Sequence, residues 1–152
     1  MNMHPIPPAA LPAAGFALAD QLLALLPGSA VQPLDYRQRG NTDADWIIGI
    51  KPVSDDASVH AGHWERHPHG EEVLCLLEGC ILVTLSARQQ PEQQVRLSPG
   101  QALIVPRGTW HRLQVEQAGR LMFVTPSVGS EHRKVADGLD AERDAPSAEV
   151  QP

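Results

Sequence analysis

Two stretches decide the fold of this chain: His63-Trp64-Glu65-Arg66-His67-Pro68-His69-Gly70-Glu71-Glu72, and Gly100-Gln101-Ala102-Leu103-Ile104-Val105-Pro106-Arg107-Gly108-Thr109-Trp110-His111. Alternate side chains of a strand share a face, so His63, Glu65 and His67 point one way and Trp64 the other. Pro68 and Gly70 turn the chain. Glu72 then opens a returning strand that carries its carboxylate back to the same face. Imidazoles and carboxylates converging on the inside of a β structure suit a divalent metal ion. The second stretch reads as a turn, a buried strand, another turn and a strand bearing His111.

Outward from these stretches the period stays at two. Short runs rich in Ile, Val, Leu and Trp recur over Trp46–Ile50, Ser58–Arg66, Glu72–Leu77, Ile81–Leu85, Gln94–Leu97, Ala102–Val105, Trp110–Val115 and Leu121–Thr125. Gly or Pro punctuates most of the gaps, and the 12 Gly and 14 Pro of the chain suit turn-rich β structure. About eight short strands at this spacing predict a mostly antiparallel sandwich or barrel. Upstream, Leu18, Leu22, Leu25 and Leu26 fall on one face of a short helix over Phe16–Leu26, closed by Pro27-Gly28. Downstream, residues 131–152 hold six acids against three bases and few large apolar side chains, the composition of a disordered tail. The division predicted is therefore 1–33 as a Pro-rich lead-in with a short helix, 34–126 as the β domain, and 127–152 as tail.

Composition narrows the partners. The chain has 152 residues, 12 Lys+Arg against 18 Asp+Glu and a formal charge of −6, with no basic stripe for nucleic acid or an anionic membrane. No apolar run approaches the ~20 residues that span a bilayer. A secretory signal needs a positive n-region, yet no Lys or Arg precedes Arg37. With Cys75 and Cys80 its only cysteines, the chain has no disulfide framework and reads as cytoplasmic. The outward-facing Trp64, Trp110, Val73, Cys75 and Leu77 need cover, for which the helix over 16–26 and a second subunit are the candidates, and a homodimer is expected.

Two spacings carry a resemblance: Glu72-x6-Gly79, and Gly100-x5-Pro106-x-Gly108-x2-His111. They resemble the paired motifs of the cupin superfamily, G-x5-H-x-H-x3,4-E-x6-G and G-x5-P-x-G-x2-H-x3-N. The second is matched through His111, with the closing Asn absent. In the first, one frame puts the two family histidines on His67 and His69, one residue short of the minimum spacing to Glu72. The other puts Glu65 and His67 there, which fits both the spacing and the strand phase. The resemblance thus implies an all-β, jelly-roll-like cupin barrel with metal ligands Glu65, His67, Glu72 and His111, His69 being the alternative to Glu65. Two carboxylates beside two imidazoles favour Fe, Mn or Zn over Cu(I). The implied function is to hold a divalent metal and a small organic ligand in the barrel, as non-haem dioxygenases and isomerases do. The alternative is a non-catalytic binding or sensor module, with or without a metal. Arg66, Arg107 and Arg112 lie near the motifs, where an anionic substrate could meet them.

Overall fold

The computed structural model describes residues 10–139. Nine strands form one antiparallel sheet: β1 (Leu22–Leu26), β2 (Ala30–Leu34), β3 (Trp46–Val53), β4 (His63–Arg66), β5 (Glu72–Ser86), β6 (Gln93–Leu97), β7 (Ala102–Val105), β8 (Trp110–Pro126) and β9 (Glu131–Lys134). The order β2-β1-β3-β8-β4-β9 forms one path, and β5 joins it through β8 while also pairing β6 and β7. Among the described residues this path does not return on itself, so the sheet is open where a closed barrel was expected.

The long strands β5 and β8 form the backbone of the molecule. Each merges two of the short runs seen in the sequence. Gly79, in the gap between two of those runs, lies within β5, where the ladder to β8 shifts register between Leu76 and Ile81. Its φ is +90°, and a Cβ there would lie 2.4 Å from the Gln117 carbonyl oxygen, so only glycine fits this bulge. The bulge lets one strand bend without breaking. The bulge shifts the alternation by one residue and so keeps the same face inward: Glu72, Leu74 and Leu76 before it, Ile81 and Val83 after it, all buried. With Leu22, Ile47 and Leu121 they form the main core, each large apolar side chain contributing roughly 1.5–3 kcal/mol by leaving water.

Both ends of the chain differ from expectation. The predicted helix over 16–26 is a turn followed by β1, and no α-helix occurs among the described residues. A helix of about eleven residues is marginal alone, whereas the edge of β3 offers backbone partners along its length (Leu23 to Ile48, Leu25 to Trp46). The leucines then obey a period of two, with Leu22 and Ala24 fully buried. At the other end, the tail reading is corrected for 131–139. Strand β9 pairs with β4 from His63–Lys134 to Arg66–Glu131, and Leu139, only 5% exposed, packs with Val135 on Trp64 and Trp110. A strand of charged residues folds here because β4 supplies its hydrogen bonds and the two indoles supply an apolar seat. The C-terminal segment therefore covers the outer tryptophans that were assigned to a helix or a second subunit. Residues 1–9 of the lead-in and 140–152 of the tail lie outside the described residues. Cys75 and Cys80 are free thiols.

Candidate metal centre

Strand pairing brings the candidate side chains together. β4 lies between β8 and β9, so Glu65 is directly opposite His111 on one side and His132 on the other. His67 follows immediately after β4, where its carbonyl accepts from the Gly108 N–H at 3.0 Å. Glu72 begins β5, paired with Val105 of β7. As a result Glu65, His67, Glu72 and His111 each offer a ligand atom, all within 4.8 Å of one another. His67, Glu72 and His111 are buried, and Glu65 is about one-third exposed.

His67 Nε2 stands at the centre, 2.9 Å from Glu65 Oε1 and 2.6 Å from Glu72 Oε2. It is buried yet makes no properly directed hydrogen bond with either. His111 Nε2 is 3.4 Å from Glu72 Oε1. The outer ring atoms are held from behind: Ser130 Oγ lies 3.0 Å from His67 Nδ1, and the Thr109 carbonyl lies 3.5 Å from His111 Nδ1. Occupying Nδ1 in this way aims Nε2 of each imidazole into the cluster, as outer partners of metal-bound histidines do. Thr125 Oγ1 donates to Glu72 Oε2 at 3.0 Å, and His132 Nε2 lies 3.1 Å from Glu65 Oε2. Two imidazoles and two carboxylates, their ligand atoms within 4.8 Å of one another, fit a divalent first-row cation.

The electrostatics agree with charged partners in close quarters. Burial disfavours the His67 imidazolium, but Glu65 and Glu72 outweigh it and raise the group to about 9. Burial likewise pushes Glu72 up, yet His111 and His67 hold it down at about 2. Glu65 is also lowered, His67 and His111 overcoming burial and the repulsion of Glu72.

A cavity of about 430 Å³ opens from this cluster, with Glu65, Glu72 and His111 in one wall and Leu74, Leu121 and Phe123 among its apolar lining. His60 and His63 are exposed residues on its rim. His69 is exposed and packs against Gly129 outside the cluster, whereas Glu65 lies within it. The arginines near the motifs face elsewhere. Arg66 bonds Glu131 and lies 4.5 Å from the Trp110 ring centre, Arg112 stacks on Trp64, and Arg107 is exposed.

Four residues near the site escaped the sequence reading. Ser130 and His132 sit in the segment taken as tail, and no periodicity marks them. Thr125 and Lys51 were readable in principle. Thr125 follows Leu121 and Phe123 on the inner face of β8. Lys51 follows Ile47 and Gly49 on the inner face of β3, one residue past the predicted end of that strand.

The model of the cupin domain family matches residues 56–126, the segment from the turn before β4 through the end of β8. Residues 56–126 of the chain are a cupin domain. Solved structures similar to this cupin include a cupin-2 domain protein from Shewanella frigidimarina, at 21% identity over 54% of this chain and 71% of that one, with a TM-score of 0.41. Hydroxypropylphosphonic acid epoxidase from S. wedmorenis, in complex with fosfomycin, is 18% identical over 53% of this chain and 43% of its own, with a TM-score of 0.43. Bacillus subtilis oxalate decarboxylase, a protein with Mn(II) centres, is 13% identical over 64% of this chain, with a TM-score of 0.49. This cupin spans 26% of the decarboxylase chain. No curated protein gives a significant match.

Proposed function

We propose that this cupin holds a divalent cation, Fe(II), Mn(II) or Zn(II), on Glu65, His67, Glu72 and His111, and presents a small organic molecule to it in the adjoining cavity. The observation that carries this reading is the convergence of four ligand atoms within 4.8 Å of one another, three of the four residues being buried. Packing alone gives no reason to collect two carboxylates on the inner face of a sheet. A cation bound there would act as a Lewis acid toward an oxygen of the ligand. The chain's own groups would do the rest. Leu121 and Phe123 exclude water from one wall, His67 and His111 are held in one ring orientation from behind, and Glu65, at the cavity mouth, is placed to take or return a proton. Non-haem dioxygenase and isomerase chemistry are the reaction types that suit this arrangement. One observation favours a second reading, a non-catalytic binding module: Glu65 stands where the family motif has its first histidine.

The reading includes the cytoplasm as location, which rests on the two cysteines, too few for a disulfide framework. Among the described residues no helix is long and apolar enough to cross a membrane. It also includes a homodimer, supported by the half-buried Val73, Cys75 and Leu77 and the 60% exposed Ile104 on the outer face. A light-scattering mass at the monomer value would refute that part. The test of the whole is elemental analysis of protein purified without affinity histidines, beside His111→Ala. Near-stoichiometric Fe, Mn or Zn lost in the variant is the expected result. A wild-type protein that takes up no metal even on reconstitution would overturn the metal site.

A further inference from the structure

The cavity that the acidic cluster lines is also lined by the half-buried Lys51 and the exposed Arg39. Lys51 shares the inner face of β3 with the fully buried Ile47 and Val53, and it lies across from the buried Leu121 of β8. Neither cation forms an ion pair or a side-chain hydrogen bond among the described residues. Arg39 lies 5.5 Å from the centre of the Phe123 ring. A lysine on the inner face of a sheet, with no partner, is an expensive placement. In the metal-free cavity it faces the negative charge of Glu65 and Glu72. A divalent cation on those two carboxylates cancels that charge, and Lys51 is then left half-buried without a counter-ion, with the exposed Arg39 beside it in the cavity lining.

We propose that these two cations are the seat of an organic acid: the cupin's ligand is a small carboxylate whose anionic end rests on Lys51 and Arg39 and whose apolar stem lies along Leu121 and Phe123. This rests on the divalent-cation reading above and names the substrate class of the same site. The volume of about 430 Å³ suits a small molecule. A guanidinium and an ammonium beside an apolar wall match a carboxylate on a hydrocarbon stem. No α-helix N-terminus, the common seat of a phosphate, is present among the described residues. Because each charge removes the other's penalty, cation and acid bind with positive, reciprocal coupling.

The test uses Mn(II) and succinate as probes, with the neutral succinamide as control, followed by calorimetry on the full chain. Wild type loaded with Mn(II) binds succinate at least tenfold more tightly than does the metal-free protein, and it does not bind succinamide comparably. Lys51→Met binds Mn(II) at least as tightly as wild type, which also shows that it is folded, but loses tenfold or more in succinate affinity. Lys51→Arg restores most of that loss. Unchanged succinate affinity in Mn(II)-loaded Lys51→Met, or equal affinity for succinamide, would overturn the assignment while leaving the metal site standing. Failure of the wild type to bind Mn(II) or any of the other proposed cations would instead overturn the metal reading and this inference with it.

Discussion

Replacing Leu139 by alanine tests whether the C-terminal segment is part of the folded domain. The side chain is 5% exposed and packs with Val135 against Trp64 and Trp110. Three carbons are removed, at about 0.8 kcal/mol each for lost burial. The hole left between two rigid indoles adds a cavity cost, which puts the total at about 3 kcal/mol. For a domain of this size, roughly 4 °C of melting temperature accompanies each kcal/mol. A calorimetric melt of Leu139→Ala should therefore fall by about 10 °C, while Leu139→Met, which keeps the volume, should lose less than about 1.5 kcal/mol. The effect should reach the site, because β9 carries His132 and lies next to Ser130. Cation affinity should weaken in the alanine variant and recover in the methionine one. A loss below about 0.5 kcal/mol would refute the reasoning, since an undocked segment contributes nothing at this position. A wild-type dimer that dissociates in Leu139→Ala would place the contact between subunits instead.

Further outcomes follow from the geometry and the electrostatics. Ser130→Ala frees His67 Nδ1 and should cost roughly 10–100-fold in cation affinity at unchanged melting temperature, measured by competition with a chelating dye. Gly79→Ala places a Cβ 2.4 Å from one backbone oxygen and 2.7 Å from another at φ +90°; a loss of at least about 2 kcal/mol is expected by chemical denaturation. Metal-free protein should show a stability plateau between about pH 4.5 and 6.5. His67 is raised from 6.5 to about 9, so its contribution is complete below 6.5 and disappears as pH rises through 9. Glu72 is lowered from 4.5 to about 2, so its contribution is complete above 4.5 and disappears as pH falls toward 2. Chevron or denaturant midpoints across that range check both limbs. Cation binding at pH 7 should correspondingly release about one proton, read from the buffer dependence of the binding enthalpy.

What the sequence revealed and what it hid have separate physical causes. Alternation over Glu72, Leu74 and Leu76, and the fixed spacing from Gly100 to His111, are local properties, so strand phase and the inward direction of Glu72 could be read from the chain. The phase of Glu65 and His67 could be read as well, and with it their convergence with Glu72. Leu18, Leu22, Leu25 and Leu26 misled because the same leucines satisfy a helical face and a strand; the partner edge of β3 decides, and it lies about 25 residues away. Glu131-His132-Arg133-Lys134 carries no apolar signal at all. Its folding depends on hydrogen bonds from β4 and on Leu139 reaching the indoles, neither of which is a property of the segment itself. Gly79 looked like a turn because a bulge and a turn make the same demand, a positive φ.

The most direct test of the central claim is anomalous diffraction from crystals of this cupin grown with Mn(II), recorded at the metal's absorption edge. The account predicts a single strong anomalous peak within bonding distance of Glu65, His67 Nε2, Glu72 and His111 Nε2, absent in crystals of His111→Ala. No peak among those four side chains, or a peak at His69 or on the surface in their place, would contradict it.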